Sequence, residues 1–224
     1  MDDLSAVTNQ FYPYEHVHAY GTFPRLEEVP FMVRNYLMDM PSAGYEPPDD
    51  NRYYRCQLMK YLYYDDARPL DNPLPTPAQK LSLVYDPEKP DAMPTEKGYR
   101  IYTQEIIHEA QRVGQTIMRV YMGPVYPVGP FTAEAGIRIT FLSNLAYDPA
   151  IKTTVLSKTF AMACLAMRAL NGLNLGAGIG TLYFNRKGHA DSNIYPINDE
   201  STNVGYRLTM GLEVMGTDVN DQYI

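Results

Sequence analysis

Two stretches in the second half of the chain alternate strictly between apolar and polar residues, and this pattern constrains the fold more than any other feature. In AGIRITFLS, Ile137, Ile139 and Phe141 alternate with Arg138 and Thr140. In GYRLTMGLEVMG, apolar residues again recur at every second position. Successive side chains of a strand point to opposite faces of the sheet, so a period of two indicates half-buried strands of an antiparallel sheet.

A further strand and one helix complete the predicted core. QTIMRVYM also alternates, and we expect it to pair with AGIRITFLS as a hairpin whose tip is a long, proline-stiffened loop over residues 123–134. From about Thr153 to Leu170 apolar residues recur at spacings of three and four, which predicts a helix that Asn171–Gly172 ends. TLYFN then predicts a short strand. The order β-β-α-β-β predicts an α+β fold, in which a small antiparallel sheet is covered on one face by one helix.

The N-terminal part of the chain has a different composition, rich in proline and tyrosine. It predicts one short helix interrupted by Pro30, strands at 56–64 and 80–86, and an extended arm between those strands. We therefore divide the chain into a long, irregular N-terminal extension, residues 1–96, and an α+β core domain, residues 97–224. We expect that the extension does not pack onto its own sheet but lies across neighbouring subunits, since tyrosine is enriched at protein interfaces.

Charge and hydropathy restrict the partners. The formal net charge of −7 argues against a general affinity for nucleic acid, because phosphate binding needs a basic surface. It is compatible with a protein that lets DNA pass. No run approaches the roughly 18–20 apolar residues that span a bilayer, and the N-terminus has no secretory pattern, so no membrane partner is expected. The isolated Cys56 and Cys164 predict no disulfide, and we expect Cys164 to be a buried, inert thiol.

The glycines of NLGAGIGT have the composition of a phosphate-binding loop. A dinucleotide fingerprint needs a strand before its glycines and a helix after them. Here the predicted helix precedes Gly176, Gly178 and Gly180 and a strand follows. The glycines would then lie near the negative end of the helix dipole, which disfavours phosphate. We expect a tight helix-to-strand turn and no nucleotide site.

Candidate catalytic and metal-binding residues are few. His16 and His18 could share one face of a strand as metal ligands, but two more ligands are needed, and His108 and His189 lie in unrelated contexts. Surface or packing histidines are the interpretation that the pattern favours. We predict no cofactor and no metal.

Acidic pairs in two loops, Asp49–Asp50 and Asp65–Asp66, are expected to be solvated, because neighbouring carboxylates do not converge on one point unless a loop folds them together. HEAQR lacks the H-E-x-x-H spacing, and no G-x-S-x-G motif is present. The chain is predicted not to be an enzyme. A metal-dependent enzyme that uses His16, His18 and loop aspartates remains an alternative, as does a binding module of another kind.

Four segments resemble the neck proteins of tailed bacteriophages, the head-to-tail connector and tail-completion group. They are KGYRIYTQEIIHEAQRVGQTIMRVYMG, AEAGIRITFLSN, FAMACLAMRALNGLNLGAGIGTLYFNR and NVGYRLTMGLEVMG, within residues 97–216. The resemblance implies a homo-oligomeric ring, hexameric or dodecameric, between portal or adaptor and tail. Viral DNA would pass through its lumen without specific binding, and the protein would reside in the virion neck after assembly in the host cytoplasm. A tail terminator or neck protein is favoured over an all-β stopper.

Under this resemblance the hairpin tip and the tyrosines of the N-terminal extension are the expected contacts with neighbouring proteins. The candidate interface residues are Pro124, Tyr126, Pro127, Pro130, Phe131, Tyr12, Tyr14 and Tyr20. Another virion structural component, such as a baseplate, tube or capsid-associated protein, is the alternative function.

Overall fold

A computed structural model describes ten segments of the chain, and every structural statement below concerns them. They are residues 24–40, 51–66, 68–88, 98–105, 116–127, 132–144, 158–176, 179–184, 192–199 and 203–215. Within these segments lie four α-helices: α1 (Val29–Leu37), α2 (Arg52–Tyr63), α3 (Pro77–Leu81) and α4 (Lys158–Leu170). The strands are β1 (Ile101–Tyr102), β2 (Ile117–Pro127), β3 (Thr132–Asn144), β4 (Leu182–Tyr183), β5 (Asn193–Asp199) and β6 (Asn203–Met215).

All six strands belong to one mixed sheet, which confirms the α+β class. The order is β1-β2-β3-β6, and β4 and β5 both pair with the remaining edge of β6. β1 is parallel to β2, whereas the other pairs are antiparallel, so the expectation of a purely antiparallel sheet is wrong at this edge. β5 was not predicted; its Pro196 suits a position at the edge of a sheet.

The predicted alternation of β3 is confirmed on the inner face, by which we mean the face that the helices cover. Ile137, Ile139 and Phe141 are fully buried, and Met210 and Leu212 of β6 join them in the main core. α4 packs on β3 and β6, and α1 packs on β2. Helices that come from both parts of the chain therefore cover the inner face, and the prediction of a single covering helix is wrong.

The two predicted N-terminal strands are both wrong. Residues 56–64 lie almost entirely in α2, in which Leu58 and Leu62 are one helical turn apart and both fully buried. The aromatic residues of CQLMKYLYY favour a strand locally, but packing of this apolar stripe on the core decides for the helix. Residues 80–86 include the end of α3 and, in place of a strand, an isolated bridge from Val84 to Ile101.

The start of α3 carries a capping box that the sequence analysis missed. The Thr76 side chain accepts a hydrogen bond from the backbone N–H of Gln79, and the Gln79 side chain accepts one from the backbone N–H of Thr76. Pro77 occupies the first turn, where a backbone N–H is not needed. The stretch before it is also not a free arm, because it forms a 3-10 turn at Pro69–Asp71 and the Tyr64 hydroxyl donates to the carbonyl of Pro73.

Pro30 does not interrupt the first helix. A 3-10 turn, Pro24–Glu28, leads directly into α1, and Pro30 lies in the first turn of α1, where its missing N–H costs no intrahelical hydrogen bond. α1 ends at Leu37, and Asp39 follows in the left-handed region at φ 53°.

The described N-terminal helices share the core of the sheet. Val33, Leu37, Leu58 and Leu62 belong to the same buried cluster as Ile139. Apolar burial of this kind is the main favourable term in folding. The expectation that this part of the chain does not pack onto its own sheet is therefore wrong for the described residues between 24 and 88. The boundary at residue 96 stays a prediction.

Hydrogen bonds tie the same helices to the rest of the molecule. The Tyr36 hydroxyl of α1 donates to the carbonyl of Ala169 in α4 at 3.1 Å. Lys158, the first residue of α4, is buried, and its Nζ lies 3.5 Å from the carbonyl oxygen of Tyr64. The predicted end of α4 at Leu170 is confirmed, whereas the predicted start near Thr153 lies outside the described residues.

Candidate functional site

The sheet face opposite the helices carries three arginines on three adjacent strands. β2 contributes Arg119, β3 contributes Arg138 and β6 contributes Arg207, each at a position that alternates with core residues. The apolar part of this outer face is a small separate cluster of Ile117 and Leu142 with Tyr102 of β1. We call the neighbouring polar surface the arginine face, which consists of Arg119, Tyr121, Arg138, Thr140, Tyr195 and Arg207.

The strand register places Thr140 at the centre of the arginine face. Arg119 lies directly opposite Thr140 on one side, and Arg207 lies directly opposite on the other. Arg138 is two residues before Thr140 on the same strand, and Tyr121 lies opposite Arg138. Opposite residues of neighbouring strands have Cβ atoms about 5 Å apart, and diagonal neighbours about 7–8 Å. The three arginine side chains therefore originate at backbone positions next to Thr140.

Neutral groups hold the side chain of Arg207. Its Nε donates to Thr140 Oγ1 at 3.3 Å and its Nη1 donates to the Tyr195 hydroxyl at 2.9 Å. The guanidinium carbon lies 5.9 Å from the ring centroid of Tyr121 and 5.7 Å from that of Tyr195, within the range of cation–π attraction. The hydroxyls of Tyr121 and Thr140 are 3.3 Å apart and share a hydrogen bond. These contacts orient the charge of Arg207 without neutralising it.

Arg138 is half-buried, and its Nε is buried with no hydrogen-bond acceptor in the described part of the chain. Across the same segments, neither Arg138 nor Arg207 forms an ion pair with a carboxylate. Arg119 is only 6% exposed, and its Nη1 donates to the backbone carbonyl of Glu105 at 3.1 Å. A half-buried cation is costly unless it is paired, so the surface around Arg138 and Arg207 favours an anion.

The tyrosines of this face do not supply the missing negative charge. Burial raises the pKa of Tyr121, and this effect outweighs the opposing effects of its hydrogen bond with Thr140 and of the Arg207 charge. Burial likewise raises the pKa of Tyr102, which flanks Arg119 on β1. Both phenols are therefore neutral at physiological pH.

The helix layer contains a charge cluster of the opposite kind, in which one carboxylate meets three cations. Asp39 Oδ1 accepts from Nη2 of the fully buried Arg55 at 3.0 Å, Asp39 Oδ2 accepts from Arg52 Nε at 3.1 Å, and Lys80 Nζ lies 3.8 Å from Oδ2. The Arg55 guanidinium also lies over the ring of Tyr36, 4.3 Å from its centroid. This cluster joins the end of α1 to α2 and α3.

The pKa of Asp39 is set by opposing effects in this cluster. Burial alone would raise it, but hydrogen bonds from Arg55 and Arg52 and the charge of Lys80 together hold the pKa below its ordinary value. Asp39 is therefore ionised at physiological pH, and the cluster acts as a structural link between the helices.

The acidic loop pair Asp65–Asp66 is exposed as predicted, but Asp65 is not simply solvated. Arg100 donates to it through two bonds, Nη1 to Oδ1 at 2.8 Å and Nη2 to Oδ2 at 2.5 Å, and also donates to the carbonyl of Leu62. Asp66 accepts from Asn72 Nδ2 at 2.6 Å within its own loop. No group of His, Cys, Asp or Glu suited to hold a metal occurs among the described residues.

Some candidate ligands lie outside the described residues. They are Asp49–Asp50 and the histidines His16, His18, His108 and His189. The metal hypothesis at His16 and His18 is thus untested.

The glycines after α4 form the predicted helix-to-strand turn. Gly172, Gly176 and Gly180 have φ angles of 87°, 101° and 109°, a region that favours glycine. Backbone hydrogen bonds from Gly172 to Leu182 and from Leu175 to Gly180 close the turn. Gly178 lies outside the described residues.

The cysteines are free and half-buried. Burial raises the pKa of the Cys164 thiol, and the charge of Arg168 only partly opposes this effect. The thiol is therefore protonated at physiological pH. Cys164 was expected to be buried and is only half-buried, and its inert role stays a prediction.

The predicted interface residues of the hairpin lie on a strand. β2 continues to Pro127, with Pro124 inside an irregularity between Met122 and Val125 and with Tyr126 and Pro127 paired beyond it, so the expectation of a long loop over 123–134 is wrong. Tyr126 is 55% exposed and Val125 41%. The other predicted interface residues, Pro130, Phe131, Tyr12, Tyr14 and Tyr20, lie outside the described residues.

Comparison with known proteins yields no relative. No family model matches the chain, and neither the curated proteins nor the solved structures contain a match. In the part of the chain that the structure covers, no helix has the length and apolar character needed to cross a membrane.

Proposed function

We propose that this chain is a structural subunit of the neck of a tailed bacteriophage. In this role it forms a ring at the head–tail junction, joins portal or connector to tail, and lets DNA pass. The segments that carry the resemblance to neck proteins include β2, β3, α4 and β6, the elements that build the sheet and part of its helical cover. The observation that carries the proposal is that Val125 and Tyr126, near the end of the β2–β3 hairpin, are exposed. We call these two residues the hairpin end.

This hairpin end is suited to a contact through side chains. β1 pairs only with Met118 and Arg119 of β2, and in the described segments no other strand pairs with that edge. Beyond it, Pro124 and Pro127 have no N–H to donate, which disfavours the addition of a strand from another molecule. The exposed Val125 and Tyr126 are the side chains that such a contact would bury.

The charge of the chain limits which surface can line the lumen. A channel that conducts DNA without holding it must not present clustered arginines, because these bind phosphates by releasing counterions. The net charge of −7 suits such a channel, but the arginine face does not. In the proposed ring the arginine face is therefore turned away from the DNA.

Electron microscopy of the purified full-length chain tests the proposal, both alone and mixed with heads and tails that lack a neck. We expect six- or twelve-membered rings with a central channel, bound at the head–tail junction. A monomer at every concentration that binds neither heads nor tails would contradict the proposal. Binding at a baseplate, tube or capsid position would support the alternative function.

A matched pair of variants tests the hairpin contact itself. Val125→Ser combined with Tyr126→Ser should abolish the rings. Tyr53→Ser, which changes an exposed tyrosine of α2, should leave them intact. Rings that persist without Val125 and Tyr126 would show that the hairpin end is not the contact.

A further inference from the structure

We infer that the arginine face binds carboxylates of a second copy of this chain. The inference rests on the proposed ring and names the chemistry that joins its subunits. It is carried by Arg138 and Arg207, two half-buried cations without an ion pair in the described segments. Arg138 has in addition a buried Nε without an acceptor there. Arginine pairs with carboxylates in a fixed two-pronged geometry, which such a site can use.

Charge complementarity identifies the occupant. The chain has 26 acidic and 19 basic residues, so when Arg138 and Arg207 are set apart the remainder carries 17 basic residues and a formal charge of −9. A second copy therefore offers a predominantly negative surface to this face. Duplex DNA also carries anions, but it would have to approach a protein that repels it as a whole.

The same charges determine the symmetry of the contact. Two arginine faces brought together across a twofold axis would place like charges against each other, which costs energy at an interface. The arginine face must therefore meet a different surface of its neighbour. A contact between two different surfaces is head-to-tail, and repeated head-to-tail contacts generate rings.

The loop after α2 is the described surface that best fits as the partner. It presents the exposed carboxylates of Asp66 and Asp71. Three leucines between Asp66 and the end of α3 are also exposed, so a contact at this surface would bury apolar side chains. These are Leu70 and Leu74 in the loop and Leu81 at the end of α3, between 37% and 55% exposed. We call Asp66, Leu70, Asp71 and Leu74 the leucine-and-aspartate loop. It belongs to the N-terminal half of the chain, whose helices cover the inner face. The arginine face lies on the opposite side of the sheet.

Sedimentation velocity of the full-length chain tests the inference. We expect the wild type to self-associate and its association constant to fall at least about tenfold when salt rises from about 0.1 M to about 1 M. Arg138→Gln combined with Arg207→Gln should weaken association to a similar extent at low salt. Arg34→Gln combined with Arg168→Gln, which removes two arginines of the helix layer, should leave it unchanged.

A charge swap makes the test specific for the pair of surfaces. Two double variants are compared, Arg138→Glu/Arg207→Glu and Asp66→Lys/Asp71→Lys. Each should fail to self-associate, because both of its surfaces then carry the same sign of charge. A mixture of the two should associate, because it restores opposite charges. Circular dichroism of each variant tests whether it is folded. If the double arginine variants do not fold, Arg138→Gln alone serves, because Arg138 makes no hydrogen bond to another described residue.

The possible results separate this inference from the proposed function. Rings that form equally well in the double Gln variant, or a mixture that does not associate, would overturn the inference and leave the proposed ring intact. A wild type that forms no ring, alone or on heads and tails, would overturn both. Binding of labelled duplex DNA that is lost in the double Gln variant would reassign the arginine face to nucleic acid and overturn the inference.

Discussion

Both faces of the sheet contain buried residues, but the chemistry around those residues differs. On the inner face Ile139 and Phe141 are fully buried and pack against other apolar side chains. On the outer face Thr140, between those two residues in sequence, is only 1% exposed, yet it lies between Arg119 and Arg207. Burial alone therefore does not distinguish the faces. The inner face stabilises the fold, and the outer face is the surface that we propose binds carboxylates of a second copy.

The largest effect is expected from truncation of the inner face. Phe141→Ala should lower the free energy of unfolding by about 3–5 kcal/mol, because it removes a fully buried ring and leaves a cavity. Urea denaturation measures this directly. A loss below about 1 kcal/mol would mean that the helices do not pack on Phe141 as described.

The charge cluster of the helix layer gives the next largest effect. Asp39→Asn should cost about 1.5–3 kcal/mol at pH 7, because it removes charged hydrogen bonds to Arg52 and to the fully buried Arg55.

The pKa of Asp39 also predicts how this cost depends on pH. The pKa is lower in the folded than in the unfolded chain, so the contribution is present above the unfolded pKa of about 3.9 and is lost as pH falls through the folded pKa. Unfolding measured between pH 7 and pH 2 should show wild type and Asp39→Asn converging at the acid end. A constant difference over this range would contradict the assignment.

Two glycines on the outer face test how closely the backbones of β3 and β6 approach each other. A Cβ at Gly205 would overlap the carbonyl of Phe141, so Gly205→Ala should cost roughly 1–3 kcal/mol. Gly136→Ala is the matched control, because its nearest new contact would be 3.8 Å away. Thermal unfolding of the two variants should therefore differ clearly, and equal melting temperatures would contradict the described approach of the strands.

The smallest effect on stability is expected where we place the binding function. Arg138→Gln should change the free energy of unfolding by less than about 0.5 kcal/mol, since Arg138 makes no hydrogen bond within the described segments. Relief of repulsion among neighbouring arginines could even make the change favourable. A loss above about 2 kcal/mol in urea denaturation would show that Arg138 stabilises the fold and would remove the contrast between the faces.

The sequence predicted those elements whose local pattern agrees with their packing. The alternation around Ile139 predicted β3 because one side of that strand packs in the apolar core. The order of helix, glycines and strand predicted the turn at Gly176. α2 was missed because its aromatic residues favour a strand, whereas contacts of Leu58 and Leu62 with distant elements stabilise the helix. Long-range packing of this kind is not visible in a local pattern.

The arginine face could not be predicted for a related reason. Arg119, Arg138 and Arg207 are widely separated in sequence, and each one by itself has the pattern of an ordinary solvent-facing residue of a strand. Only the register that sets Thr140 between Arg119 and Arg207 brings them together. Register depends on pairing between distant segments, and the local pattern of one strand does not show which residues of another strand lie opposite.

Hydroxyl-radical footprinting of tyrosines, before and after assembly, tests most directly the claim that the outer face is the binding surface. Tyr195 lies on the arginine face, Tyr126 at the hairpin end and Tyr53 in α2. We expect Tyr195 and Tyr126 to lose labelling when rings form and Tyr53 to keep it. Rings in which Tyr195 is labelled as strongly as in the dilute monomer would contradict the claim.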